Sequence, residues 1–186
     1  MNMDANKVIL LSFSGRKNGN CERIAQHIQS IAGGRILSFA DLNVHPCGQC
    51  RYECFEHGER CPHFRDDLRS IYEAVLQNDC AYYILPNYCD FPNAHFFAFN
   101  ERSLCVFSGN EALLAAYGKI PKKFIVISGG EENNFRAALS QHSTNPEILF
   151  LCAKDFGQRS TDGALTESPE AIAKINSFMY KECSAT

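Results

Sequence analysis

The hydrophobic pattern begins at Lys7–Phe13 (K-V-I-L-L-S-F), a continuous apolar run of the kind found in a strand buried on both faces of a parallel sheet. After a tight polar loop, Cys21, Ile24, Ala25, Ile28, Ile31 and Ala32 recur at helical spacing. Asn20 is the expected N-cap of that helix, and Gly33-Gly34 its stop. Arg35–Phe39 reads as a short second strand. Asp66-Asp67 then opens a helix with the apolar stripe Leu68, Ile71, Tyr72, Val75 and Leu76; paired acids suit a helix N-terminus. Cys80–Leu85 reads as a third strand ending at Pro86, and Pro92 as a helix start. Residues 103–120 have no clear period except at Glu111–Tyr117, which reads as helix. Phe124–Ile127 is a fourth strand, running into Ser128-Gly129-Gly130. Asn134–His142 reads as a helix, Ile148–Cys152 as a fifth strand, and Pro169–Lys181 as a final helix capped by Ser168.

Five strands alternating with helices predict an α/β doubly wound five-stranded parallel sheet with helices on both faces. Ligands of such sheets lie at the carboxyl ends of the strands. No repeat, low-complexity segment or linker breaks the pattern, so residues 1–186 read as one domain. That length is enough for a sizeable core, and 45% hydrophobic with 21% charged residues is ordinary for a globular protein. A net charge of −3 offers no dominant basic field, which argues against nucleic acid as the partner. No stretch reads as a signal peptide or bilayer span, so a cytoplasmic location without a membrane partner is expected. Cysteines in that compartment stay mostly reduced and read as ligands or redox groups.

The loop after the first strand, Ser14-Gly15-Arg16-Lys17-Asn18-Gly19-Asn20, combines hydroxyls (Ser12, Ser14), amides (Asn18, Asn20), two cations and two glycines. It ends at a helix N-terminus, where free N–H groups and the helix dipole favour an anion. A terminal monophosphate fits such a nest. Neither G-x-x-x-x-G-K-[ST] nor G-x-G-x-x-G is present.

The string S-G-R-K-N-G-N followed by a helix resembles the FMN phosphate loop of the NADPH-dependent FMN reductase family, a branch of the flavodoxin-like proteins. Tyr83-Ile84-Leu85-Pro86-Asn87-Tyr88 resembles the family's third-strand loop, which lies along the isoalloxazine. Glu101-Arg102 falls where the family often has Asp-Arg, and Ile127-Ser128-Gly129-Gly130 resembles the fourth-strand loop on the ring's other side. The resemblance covers roughly residues 7–130 and implies a flavodoxin-like fold. It also implies FMN contacts from Ser12, Ser14, Arg16, Asn18, Gly19, Asn20 and Cys21, from Pro86, Asn87, Tyr88 and Cys89, and from Ser128, Gly129 and Gly130. Cys21 stands where a hydroxyl, commonly Thr, often helps hold the phosphate; Asn87 and Cys89-Asp90 depart from the usual Val and Trp-Gly around Tyr88. Chemistry would occur on flavin N5, with no separate catalytic side chain. The resemblance further implies NAD(P)H as co-substrate, a small-molecule or protein electron acceptor, and a homo-oligomer (dimer or tetramer).

Residues 45–63 (H-P-C-G-Q-C-R-Y-E-C-F-E-H-G-E-R-C-P-H) form a cysteine-rich insertion after the second strand, with four of the chain's ten cysteines: Cys47, Cys50, Cys54 and Cys61. Four thiolates in one compact run can hold a 4Fe-4S cluster. Zinc is an alternative through the Cys47-x2-Cys50 knuckle, with His45, His57 and His63 nearby. A thiol–disulfide pair accepting electrons from the flavin is another, and inert free thiols are the plainest reading. Iron–sulfur flavoproteins of the resembled group use C-x2-C-x2-C and a later fourth cysteine; here the middle gap is three. Cys80 and Cys152 read as small core residues, and Cys89 as a packing residue beside the ring. Phe91 and the Phe96-Phe97-Phe99 cluster are expected on a dimer face, Tyr88 against the flavin, and Glu131-Glu132 in solvent.

The expected function is an FMN-binding oxidoreductase passing reducing equivalents from NAD(P)H through flavin to an acceptor. The alternatives are an iron-sulfur electron carrier serving a ferredoxin-like partner, and a non-enzymatic metal or redox sensor.

Overall fold

The computed structural model describes residues 7–48, 50–130, 133–140 and 146–180. Its apolar runs become the strands β1 (Val8–Ser12), β2 (Arg35–Ser38), β3 (Cys80–Tyr88), β5 (Lys122–Ser128) and β6 (Glu147–Cys152), all parallel and ordered β2-β1-β3-β5-β6. A two-residue strand, β4 (Phe91–Pro92), folds back antiparallel on the end of β3. The helices are α1 (Asn20–Ala32), α2 (Leu68–Leu76), α3 (Ala94–Glu101), α4 (Leu104–Phe107), α5 (Glu111–Lys119), α6 (Asn133–Ser140) and α7 (Pro169–Tyr180). Among the described residues, no helix is long and apolar enough to cross a membrane. Glu131-Glu132, the end of the helix expected at Asn134–His142, and Lys181 lie outside the described residues.

Each strand feeds two cores because its side chains alternate across the sheet. Ile9, Leu11 and Phe13, with Ala81, Tyr83 and Leu85 and with Phe124 and Val126, face the layer of α2, α3, α4, α5 and α6. Val8 and Leu10, Tyr82 and Ile84, and Ile125 and Ile127 face α1 and α7. This double burial is the reason the strands read as unbroken apolar runs.

Five expectations change. Pro92, read as a helix start, pairs with Asn87 in β4, and α3 begins at Ala94 behind Asn93. Asn20 is the first residue of α1, and Gly19 takes the cap position. β3 continues through Pro86 to Tyr88. Its pairing with β1 stops at Ile84, so beyond that point one side of β3 is an edge, where a residue without an N–H is tolerated. Phe96 and Phe99 are fully buried within the chain, not on a dimer face. They pack around Phe13 at ring distances of 5.4 and 5.6 Å, and Phe99 also stacks on Tyr72 at 4.3 Å. Only Phe91 and Phe97 of that group remain exposed. Cys152 is half-buried, while Cys80 is buried as expected.

One buried and one half-buried cation anchor the ends of this framework. Arg102, 1% exposed, follows α3 and pairs with Asp66 just ahead of α2. Asp66→Asn would leave that guanidinium uncompensated, and removing one partner of a buried pair costs about 3–5 kcal/mol. A matching fall in the urea midpoint is the expected result. At the opposite end of the sheet, Lys122 donates to the Tyr117 and Ile120 carbonyls at 2.7 and 2.8 Å. Burial pushes its pKa down to about 8 from 10.5. Between those values the unfolded chain binds more protons than the folded one, so this residue's contribution to stability rises with pH across the window and is smallest below it. Relative to Lys122→Met, the wild-type urea midpoint should therefore gain ground between about pH 7.5 and about pH 9.5.

Candidate functional site

β1 leads outward to β2 on one side, and β3 leads to β5 on the other. At such a switch point the loops leaving neighbouring strands diverge, and a crevice opens at the carboxyl ends. Here it is a narrow cleft of about 40 Å³. One wall is the loop after β1 with the first residues of α1: Ser14, Arg16, Gly19, Asn20 and Cys21. The facing wall is Pro86, Asn87 and Tyr88 from β3, with Ile127 from β5 beneath. Ser160 and Thr161, from the loop after β6, complete it.

The loop after β1 is held by its own hydrogen bonds. Asn18 adopts a left-handed backbone (φ 58°), its N–H donating to the Glu22 carboxylate and its carbonyl accepting from Arg23 Nε at 3.2 Å. Gly19 is extended and makes no side-chain cap, so the first-turn amides of α1 have no acceptor from that residue. The Arg16 amide donates to Ser14 Oγ at 3.1 Å, fixing that buried hydroxyl at the floor. Lys17 is turned away to pair with Asp41, whose hydrogen bond raises its pKa. Arg16 is therefore the cation that lines the cleft. Burial pushes Cys21 up to about 12, so it presents a neutral thiol where the resemblance places a hydroxyl.

Asn20 serves a different purpose from the one expected. Its Nδ2 donates to the Ser160 carbonyl at 2.9 Å, and its Oδ1 accepts from the Leu165 amide at 3.0 Å. Arg16 Nη1 reaches the Thr161 carbonyl at 3.5 Å, and Arg23 pairs with Glu167 at 3.2 Å. Gly163, at φ +74°, lies so close to Asn18 that an added Cβ would sit 3.1 Å from its carbonyl oxygen. Residues 157–167 thus form a strap across the phosphate loop. Sequence reasoning left this strap out, although loops at the carboxyl ends of all strands converge by topology and the hydroxyls of Ser160-Thr161 were a usable signal.

The other predicted contacts fall into two sets. Asn87 Nδ2 donates to Ser128 Oγ at 2.9 Å, and Ser128 Oγ in turn bonds the Gly130 amide at 3.0 Å. Ser128, Gly129 and Gly130 hence brace the β3 loop and do not themselves line the cleft. Ser12 is fully buried below it, and Asn18 shapes the loop from outside. Tyr88, 51% exposed, stands at the mouth. Cys89 and Asp90 form the left-handed turn of the β3–β4 hairpin. Cys89 is exposed, so the packing role expected of it is not seen.

The cysteine loop lies against α3 and α4. Arg102 organises it: Nη1 donates to the His45 carbonyl at 3.0 Å and to Asp66, and Nη2 to the His63 carbonyl at 3.0 Å, Asp66 Oδ1 at 3.4 Å and Cys61 Sγ at 3.6 Å. The Cys47 amide donates to Glu101, and Ser108 Oγ to the Phe55 carbonyl at 3.2 Å. His45 and His63 stack at 4.5 Å. Cys54 is buried, Cys50 and Cys61 half-buried, and Cys47 exposed. Burial, then Glu101 and the other three thiols of the run, push Cys47 up. Among the described residues, no three His, Cys, Asp or Glu side chains are gathered as metal ligands. The arrangement therefore does not fit a cluster or zinc as it stands.

No family model matches the sequence, and no curated protein matches it. Solved structures do match in shape. The Trp repressor binding protein from Bacillus subtilis is 14% identical, with a TM-score of 0.66 over 92% of this chain and 99% of that one. FerB, a flavoenzyme NAD(P)H:(acceptor) oxidoreductase from Paracoccus denitrificans, is 11% identical, with a TM-score of 0.55 over 93% and 94%. A putative quinone reductase from Klebsiella pneumoniae is 13% identical, with a TM-score of 0.55 over 95% and 85%. With the strand order and the placement of the cleft, these likenesses establish a flavodoxin-like fold, the one shared by FMN reductase-like flavoproteins.

The Asn20 clamp is open to test. Asn20→Ala leaves the buried Leu165 amide without its acceptor, a loss of about 1–3 kcal/mol. Hydrogen exchange should accelerate at Leu165 and across 160–165, while the amides of β1 and β3 remain protected.

Proposed function

We propose that this chain is a flavin-dependent oxidoreductase that binds FMN in the cleft between β1 and β3 and takes reducing equivalents from NAD(P)H. The observation that carries this reading is the convergence of an uncapped helix start, a buried serine and one lining arginine at a flavodoxin-like switch point, facing a Pro-Asn-Tyr loop. Matching folds that carry names such as NAD(P)H:(acceptor) oxidoreductase and quinone reductase support it.

The residues fit the group. Ser14, Arg16 and the first-turn amides of α1 would hold the phosphate; an anion there gains from both the free donors and the helix dipole. Pro86 and Ile127 supply an apolar wall, Asn87 is held in place by Ser128, and Tyr88 would cover the ring at the mouth. The strap at 157–167 keeps Arg16 oriented and closes one side of the cleft. Bound flavin supplies hydride acceptance at N5 and release of electrons singly or in pairs; the side chains named here bind and orient. The acceptor would be a small molecule or a protein. A homo-oligomer belongs to the same reading, and the exposed Tyr88, Phe91 and Phe97 are where its contact would form. The iron-sulfur carrier and metal-sensor readings depend on a metal in the cysteine loop, and among the described residues no gathered ligand set supports them.

Protein reconstituted with FMN should be yellow, hold about one flavin per chain, and oxidise NADH or NADPH in the presence of a quinone or dye. Arg16→Ala removes a charge-assisted contact of about 1.5–3 kcal/mol, so FMN affinity should fall by roughly tenfold or more. Unchanged affinity in a flavin titration would refute the phosphate assignment, and colourless protein that refuses FMN would refute the function.

A further inference from the structure

A second cavity, of about 350 Å³, opens at the outer edge of the sheet between α1 and the loop after β2. Small-molecule sites run to roughly 300–1,000 Å³, so its size is suitable. Glu22 and Gln26 come from α1, and Ile36, Ser38, Asp41 and Leu42 from β2 and the loop behind it. None of these lines the cleft between β1 and β3. Ser38 is 9% exposed, and its Oγ is buried with no hydrogen-bond partner. Ser12, opposite it in register on β1, does not supply one, and its own Oγ is unpaired too. Ser38 shares the α1 face of the sheet with Ile36, which aims the hydroxyl at the cavity. A buried hydroxyl left in this state marks the place of a missing partner.

The rim adds two acceptors. Glu22 gives Oε2 to the Asn18 amide and Asp41 gives Oδ1 to Lys17. Among the described residues, Glu22 Oε1 and Asp41 Oδ2 have no hydrogen bond. An anion would meet both carboxylates. An ammonium would be set against Lys17, which already pairs with Asp41 and interacts with Glu22. The remaining class is a neutral ligand with adjacent O–H donors, and the vicinal hydroxyls of a ribose have that form. In dinucleotide-binding sheets an acidic side chain accepts from the ribose 2′-hydroxyl in this way. Ile36 and Leu42 offer an aliphatic wall to the rest of the ligand.

We propose that the cavity beside β2 binds the unphosphorylated ribose of a nucleoside, with Asp41 and Glu22 accepting from its 2′- and 3′-hydroxyls and Ser38 at the floor. The nucleoside is either free or the adenosine end of the nicotinamide cofactor, and only the second source rests on the flavin reading above. In that case the site selects NADH, because the 2′-phosphate of NADPH would set its negative charge against Asp41 and Glu22.

The test titrates the full-length protein with adenosine, 2′-deoxyadenosine and adenosine 2′-monophosphate and follows amide chemical shifts. Adenosine should move the Ser38, Asp41 and Leu42 amides, and losing or phosphorylating the 2′-hydroxyl should weaken binding about tenfold or more. Asp41→Ala should weaken adenosine binding to a similar degree. No adenosine binding, shifts confined to other residues, equal affinity for the three ligands, or unchanged affinity in Asp41→Ala would each overturn the site. The wild-type ligand series decides the matter even where a variant fails to fold. KM values for NADH and NADPH then separate the two sources. A KM for NADH lower by about tenfold or more, with the difference lost in Asp41→Ala, assigns the adenosine end of the cofactor. Equal KM values alongside adenosine binding assign a free nucleoside. Protein that binds adenosine but refuses FMN refutes the flavin reading and leaves the ribose site standing.

Discussion

The buried Arg102–Asp66 pair is the interaction on which the irregular half of this molecule depends. Among the described residues between Phe39 and Asp67 the only helical pieces are two short 3-10 turns, Glu53–Phe55 and Gly58–Arg60, so most backbone groups there find partners outside regular structure. The guanidinium gathers two of those carbonyls, from His45 and His63, while Asp66 also accepts the His45 amide at 3.0 Å. One charged pair thus fixes both ends of the cysteine-bearing segment to α3. A cation removed from water needs its donors met, and here Nη1 and Nη2 are taken up while Nε is left without a partner; losing Asp66 would be far costlier than the pair is stabilising.

The regular half rests on two-sided burial. Strands that face helices on both sides leave no polar face, which forces chemistry to the strand ends and loops. There the structure combines segments far apart in sequence: the phosphate loop near the N-terminus, the Pro86–Tyr88 loop in the middle and the strap at 157–167. The strap binds through Asn20, Arg16 and Arg23 together, so the anion site owes its shape as much to the last third of the chain as to the loop that would touch the phosphate.

Much of this was legible beforehand. The strands were, since unbroken apolar runs and their spacing suffice where both faces are covered. The polar loop between β1 and α1 was, because Ser14, Arg16 and Gly19 precede a clean helical period. Other features escaped for physical reasons. β4 is too short for any period. Phe96 and Phe99 look alike whether a core or a partner covers them, and only tertiary packing around Phe13 decides. Asn20 advertises a cap because the same amide that caps a helix can clamp a distant loop. Cys105 sits in a stretch of mixed period, so the close seating of Gly58 on its carbonyl becomes visible only in the fold.

Protein synthesis proceeds from the N-terminus, and that gives the Asn20 clamp a temporal meaning. When β1 and α1 leave the ribosome, their anion loop is already encoded, yet the carbonyl of Ser160 and the amide of Leu165 that hold Asn20 do not yet exist. The nascent chain can pair β1, β2 and β3 while its cleft still lacks a side. Assembly of the site is deferred until Ser160 and Leu165 have been made, so a product truncated before them would carry the recognisable loop but not the finished pocket.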